Sequence, residues 1–149
     1  MRRAWWAGAL LVGAACASAG GSPSSEISSA RFAPALNVDL AAMSKTTTGL
    51  YYVDLSPGSG APAEGRQFVS VRYSGWLIDG TVVDRSEGLE FRLGTGIVIR
   101  GWDDGIAGMK VGGVRQLVIP PELAYGYKEV GAIPAGSVLV FRIELLRVR

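Results

Sequence analysis

Histidine is missing altogether from the 149 residues. Its absence excludes a Ser-His-Asp or Cys-His nucleophile system and any metal site built on imidazole. Cysteine occurs once, as Cys16, so no internal disulfide can form. Charged residues make up 19% of the chain and never gather into a basic run. The formal net charge of +2 rests on Arg2 and Arg3, the only charges before Glu26; without them 13 basic residues face 13 acidic ones. A neutral chain of this kind has no electrostatic footprint for nucleic acid. The apolar run Ala4 to Ala15 is too short to span a bilayer as a stable anchor. Gly94-Thr95-Gly96 lacks the lysine and the spacing of a phosphate loop.

What is present begins with a targeting signature. Met1-Arg2-Arg3 followed by Ala4 to Ala15 reads as a signal peptide. Two endings are open. Ala17-Ser18-Ala19 is an A-x-A cleavage site, whereas Gly13-Ala14-Ala15-Cys16 resembles a bacterial lipobox and makes Cys16 a lipidation candidate. Gly13 stands where a larger aliphatic residue is usual. Either ending implies an exported chain of the periplasm or cell envelope, with a membrane reached only through a lipid at Cys16. The expected organisation is a targeting segment at 1–19, a linker and arm at 20–47, and one domain at 48–149, a common size for a single domain. Gly20 to Ala30 is rich in Ser and Gly and reads as a flexible linker. Arg31 to Met43 carries scattered apolar residues, with Asp39 placed to cap a single helical turn. It is expected to be a loosely attached arm.

The domain itself alternates as strands do. Leu50 to Leu55 and Gln67 to Leu77 are strand-like, the second with Val69, Val71 and Tyr73 on one face. Asp79-Gly80 is a tight-turn pair, after which Thr81-Val82-Val83 resumes extended structure and Asp84 follows. Leu89, Phe91 and Leu93 mark another strand, Val114 to Ile119 the next, and Leu139 to Leu145 a long last one. The charge phase slips after Glu144, which predicts a bulge or frayed end there. Between strands, Trp102, Ile106 and Met109 recur at helical spacing, with Asp103 and Asp104 in a first turn. Gly105 and Gly108 make that helix weak alone, so packing must hold it, and Gly112-Gly113 is the expected stop. About five antiparallel strands, one short helix and no βαβ rhythm indicate an α+β half-barrel with the helix on the concave face of a curved sheet.

Several separated stretches then converge. Val71-Arg72-Tyr73-Ser74-Gly75-Trp76-Leu77, Asp79-Gly80-Thr81-Val82-Val83-Asp84, Val98-Ile99-Arg100-Gly101-Trp102, Ala124-Tyr125-Gly126, Ile133-Pro134 and Leu139-Val140-Phe141 follow in one order. Together they resemble the FK506-binding-protein (FKBP) family of peptidyl-prolyl cis-trans isomerases, over roughly Thr48 to Val148. The resemblance implies a proline-binding pocket between sheet and helix and no cofactor or metal. It also implies partners that are proline-containing unfolded or maturing polypeptides, and FK506-like macrolides as ligands. Carried over by position, Tyr73, Val83, Leu89, Phe91, Val98, Ile99, Trp102, Tyr125, Ile133 and Phe141 would line the pocket. Trp102 would lie under the proline ring and Asp84 at the rim. The Ile99 N–H and the Tyr125 hydroxyl would bond substrate carbonyls.

Plainer roles stand beside these. Trp102, Val98 and Ile99 fit an ordinary core, Asp84 fits a local turn cap, and Tyr125 fits an exposed loop. Val83 and Leu89 stand where many active members carry larger aromatic side chains, which implies a wider pocket. Arg85 is placed to draw Asp84 away from the rim, and Glu129 is also atypical. These departures leave a second reading open, a chaperone or adaptor that grips proline-containing segments without turnover.

Overall fold

The described residues of the computed structural model are 27–149. The signal segment, both of its endings and Cys16 lie outside them. Six strands form one open antiparallel sheet: β1 (Ser44–Lys45), β2 (Tyr51–Ser56), β3 (Phe68–Leu77), β4 (Val82–Arg92), β5 (Val114–Ile119) and β6 (Leu139–Val148). Their spatial order is β1-β2-β5-β6-β3-β4, and a short helix, α1 (Arg100–Ile106), lies between β4 and β5 in the chain.

The two extended stretches expected around Val82 and Leu89 are one continuous strand. Its middle is polar and escapes an alternation test because β4 is bulged twice. Val71 pairs with Leu89 but Tyr73 with Ser86, and Gly75 pairs with Asp84 but Trp76 with Val82. Each step leaves one extra residue on β4, and the second leaves Val83 unpaired in the ladder. Such insertions shift the phase of every side chain beyond them. The slip anticipated near the end of β6 is also a bulge: Ser70 opposes Arg147 while Val71 opposes Leu145, so Leu146 is the extra residue.

The helix is held by the sheet rather than by its own propensity. Trp102 and Ile106 are buried in the main core with Leu117 and Ile119 of β5 and Phe141, Ile143 and Leu145 of β6. Gly101 and Gly105 face β5 so closely that a Cβ at 101 would lie 2.5 Å from the Ile119 side chain and one at 105 would lie 2.8 Å from that of Leu117. The helix stops at Ile106, before the Gly112-Gly113 pair expected to end it. The chain leaves the helix at Gly108, left-handed with φ of 84°, whose N–H donates to the Ala63 carbonyl at 2.8 Å. Arg115 Nη1 donates to the carbonyls of Gly105 and Ala107 at 2.9 and 3.4 Å, meeting orphan acceptors of the last turn. The same guanidinium grips both oxygens of Asp54 on β2 at 2.7 and 3.1 Å and lies 4.9 Å from the Tyr52 ring centroid.

The stretch before β1 is not a loose arm. Ile27, Leu36 and Met43 are buried with Val118, Val138 and Val140, forming a second cluster on the face of the sheet opposite α1. Two 3-10 turns carry the chain across that face, Pro34–Leu36 and Leu40–Ala42, and Asp39 caps the second by accepting from the Ala41 N–H. Polar bonds fix the docking: Gln116 Nε2 donates to the Leu36 carbonyl at 2.8 Å and the Ala33 N–H to the Ile78 carbonyl at 2.7 Å. Central strand β5 is therefore covered on both faces. Leu36→Ala should lower stability by about 2–3 kcal/mol, the cost of a buried leucine truncated where the surroundings partly collapse. Urea denaturation tests this, and an unchanged midpoint would restore the loose arm.

Candidate active site

Between α1 and the sheet opens a cleft of about 250 Å³. Tyr73 comes from β3, Val83, Asp84 and Leu89 from the bulged part of β4, and Phe141 from β6. Ile97, Val98 and Ile99 form one wall in the loop before α1, Trp102 comes from the helix, and Tyr125 and Ile133 from the loop after β5. The bulge at Val83 is what a cleft-lining role needs from a strand: an irregularity that re-aims a side chain.

Three rings fix the indole of Trp102. Tyr73 and Phe141 meet it edge-to-face, with centroids at 4.6 and 5.3 Å and interplanar angles of 80° and 88°. Phe91 packs at 5.8 Å with a 44° tilt. Such offset and edge contacts stabilise by about 0.5–1.5 kcal/mol each beyond area burial. The indole Nε1 is buried and has no hydrogen-bond partner among the described residues, a cost of about 1–3 kcal/mol. Gly75 lets Phe141 lie where it does, since a Cβ there would fall 2.3 Å from the ring.

Three polar groups stand at the cleft. Asp84 Oδ2 accepts from the Tyr73 hydroxyl at 2.7 Å, and Oδ1 accepts from the Arg85 N–H at 2.8 Å. Arg85 thus engages the carboxylate through its main chain, and its side chain does not pull Asp84 off the rim. Burial, and then the Asp84 carboxylate, push the Tyr73 hydroxyl far above the usual tyrosine range. Burial and the same carboxylate also raise Tyr125. The Tyr125 hydroxyl and the Ile99 N–H have no hydrogen-bond partner among the described residues. Among those residues no cluster of three or more Cys, Asp or Glu is placed to hold a metal ion.

The sequence expectation and the observed lining differ at two positions. Phe91 is buried against Trp102 and does not face the cleft. Ile97 does, and it is 68% exposed although large and apolar. The signal for Ile97 was its place in an unbroken apolar triplet, Ile97-Val98-Ile99. The remaining expected residues meet in one place, Val83 and Leu89 among them.

An apolar cleft with an aromatic floor, and with a donor N–H and a hydroxyl at its edge, defines a class of site. Its lining is apolar and aromatic apart from Asp84 and the hydroxyls of Tyr73 and Tyr125. The family model described as FKBP-type peptidyl-prolyl cis-trans isomerase matches residues 59–146. An FK506-binding protein of Neisseria meningitidis serogroup B is 45% identical over 105 residues, covering 67% of this chain and 96% of that protein. The chain is 43% identical over 119 residues to FK506-binding protein 4 of Mycosarcoma maydis, covering 75% of this chain but only 32% of that protein. It thus spans about a third of that fungal relative. Among solved structures, FkpA from Escherichia coli superposes with a TM-score of 0.68 at 45% identity, covering 72% of this chain and 52% of that one. AtFKBP13 also gives 0.68, at 40% identity, covering 72% and 98%. The chain belongs to the FKBP-type peptidyl-prolyl cis-trans isomerase family.

The raised tyrosines make a pH prediction. In the unfolded chain both hydroxyls ionise near their ordinary range of about 10, whereas the folded chain holds their protons more tightly. Their contribution to stability is therefore complete below that range and is lost as pH rises beyond it toward the higher folded values. Urea midpoints should fall above about pH 10, and less steeply in Tyr73→Phe. An equal slope in both proteins would contradict the assignment.

Proposed function

We propose that this protein accelerates cis-trans rotation about X-Pro bonds in exported polypeptides that are unfolded or maturing. Export rests on the charged and apolar residues at 1–19, with Cys16 the point of lipid attachment if the lipobox is used. The observation that carries the activity is the Trp102 ring cage beside two donors without a partner among the described residues. An indole held by Tyr73, Phe91 and Phe141 floors an apolar cleft, and the Ile99 N–H and Tyr125 hydroxyl stand at its edge.

The chemistry follows from the peptide bond. Resonance makes the planar prolyl amide polar and raises its rotation barrier to about 20 kcal/mol. The twisted transition state has lost that resonance and is less charge-separated. An apolar cleft therefore disfavours the planar ground state relative to the twisted one. The proline ring rests on Trp102, the Ile99 N–H holds one substrate carbonyl and the Tyr125 hydroxyl another, so the two halves of the substrate are held while the bond turns. Asp84 acts through Tyr73, anchoring its hydroxyl and keeping the ring beside the indole at 4.6 Å. No proton is transferred, which suits a chain without histidine. FK506-like macrolides are the ligand class that family membership suggests for the same cleft. The binding-only alternative draws its support from the modest side chains Val83 and Leu89, which leave the β4 side of the cleft without an aromatic wall.

An isomerisation assay on X-Pro peptides separates these readings. Tyr125→Phe should lower kcat/KM roughly threefold, the worth of one neutral hydrogen bond, with folding unchanged. Activity of the unsubstituted protein should be flat from about pH 6 to 9, since the chain has no histidine and both cleft tyrosines are raised. An unchanged rate in Tyr125→Phe removes its role. Peptide binding without catalysis selects the adaptor reading.

A further inference from the structure

Asp103 does more than complement the helix dipole. Its carboxylate lies against the loop that forms one wall of the cleft. The Gly94 N–H donates to Oδ1 at 2.7 Å and the Gly96 N–H to Oδ2 at 3.0 Å, so each oxygen holds one end of a three-residue turn. Both glycines are left-handed, with φ of 75° and 73°, a conformation costly for other residues. It lets two N–H groups of one turn converge on a single carboxylate. Immediately after Gly96 come Ile97, Val98 and Ile99, all of which line the cleft. The Ile99 carbonyl then accepts from the N–H groups of Trp102 and Asp103. The wall is thus tied to the first turn of α1 at both of its ends.

Little else restrains the loop. Gly94 to Ile97 are exposed, and the other side-chain bond there is Thr95 Oγ1 to the Arg92 carbonyl at 2.8 Å. The neighbouring Asp104 is used differently. It pairs with Arg100 at 3.5 Å across one helical turn and does not reach the loop.

We propose that Asp103 is a positioning residue for the isomerisation, fixing the Ile97–Ile99 wall and the Ile99 N–H relative to the Trp102 indole. The inference deepens the isomerase reading and rests on it. Charge-assisted bonds from two backbone N–H groups are stronger than neutral ones, and an asparagine offers one acceptor oxygen where the carboxylate offers two. Asp103→Asn therefore releases Gly94 or Gly96 while keeping the side-chain volume.

The test compares the full chain with Asp103→Asn, Asp103→Glu and Asp104→Asn. Three quantities are read: kcat and KM on an X-Pro peptide, amide hydrogen exchange at Gly94 and Gly96, and the urea midpoint. Asp103→Asn should speed exchange at one of the two glycines and lower kcat/KM about tenfold, mostly through kcat, because misplaced groups cost more in the transition state than in binding. Asp104→Asn removes the same charge from the same helical turn and should stay within about twofold of the parent. If Asp103→Asn does not fold, Asp103→Glu carries the test. It keeps both oxygens but moves them by one methylene, and should lose activity while protecting the glycines. Faster exchange with unchanged kcat/KM overturns the proposal. So does an equal loss in Asp104→Asn, or a loss that only follows the unfolded fraction. An inactive parent overturns the isomerase reading and this proposal with it, whereas an active parent with an indifferent Asp103 overturns this one alone.

Discussion

The contact on which the rest depends is the seating of α1 against β5 through two glycines. Gly101 and Gly105 lie one turn apart on the face toward Ile119 and Leu117, and neither position has room for a methyl group. That closeness lowers Trp102, the residue after Gly101, into the cage of Tyr73, Phe91 and Phe141. Glycines at these positions sacrifice about 1 kcal/mol each of helix propensity relative to alanine. The sheet offsets that loss with burial of Trp102 and Ile106 and with the Arg115 cap on the helix end. A stronger helix, held further from the sheet, would have left the indole high and the cleft shallow.

The same economy organises β5. Its odd-numbered residues serve the helix side: Leu117 and Ile119 fill the main core and Arg115 reaches the helix end. Its even-numbered residues serve the other side: Val118 packs under the docked N-terminal stretch and Gln116 bonds its Leu36 carbonyl. A strand buried on both faces is a rigid base on which to fix a site. The loops that carry Ile97–Ile99 and Tyr125 complete the site on that base.

Strand alternation, the tight turn at Asp79-Gly80 and the helical stripe of Trp102, Ile106 and Met109 were legible from the residues because each is a local pattern. The bulges of β4 were not, because an inserted residue is defined only by the partner strand, and the polar stretch Asp84–Gly88 offered no period to follow. Phe91 and Ile97 were misjudged for a related reason. Both are large and apolar beside the cleft, and only the fold decides that one backs the indole while the other lines the cleft. The N-terminal arm looked unattached because Leu36 and Met43 lack a common period. They are buried by two 3-10 turns and the β1–β2 pair, and they pack against Val118 of β5 and Val140 of β6. Asp103 read as a dipole residue because its second role, holding Gly94 and Gly96, appears once the loop is folded over it.

The most direct test of a cleft that turns prolyl bonds above Trp102 is exchange spectroscopy on an X-Pro peptide with isotopically labelled protein. The account predicts cis-trans exchange cross-peaks that appear only with protein present, together with shifts at the Ile99 N–H and the Trp102 indole N–H. Binding that shifts those two signals without accelerating exchange would contradict catalysis. Acceleration with both signals unmoved would place the chemistry elsewhere on the molecule.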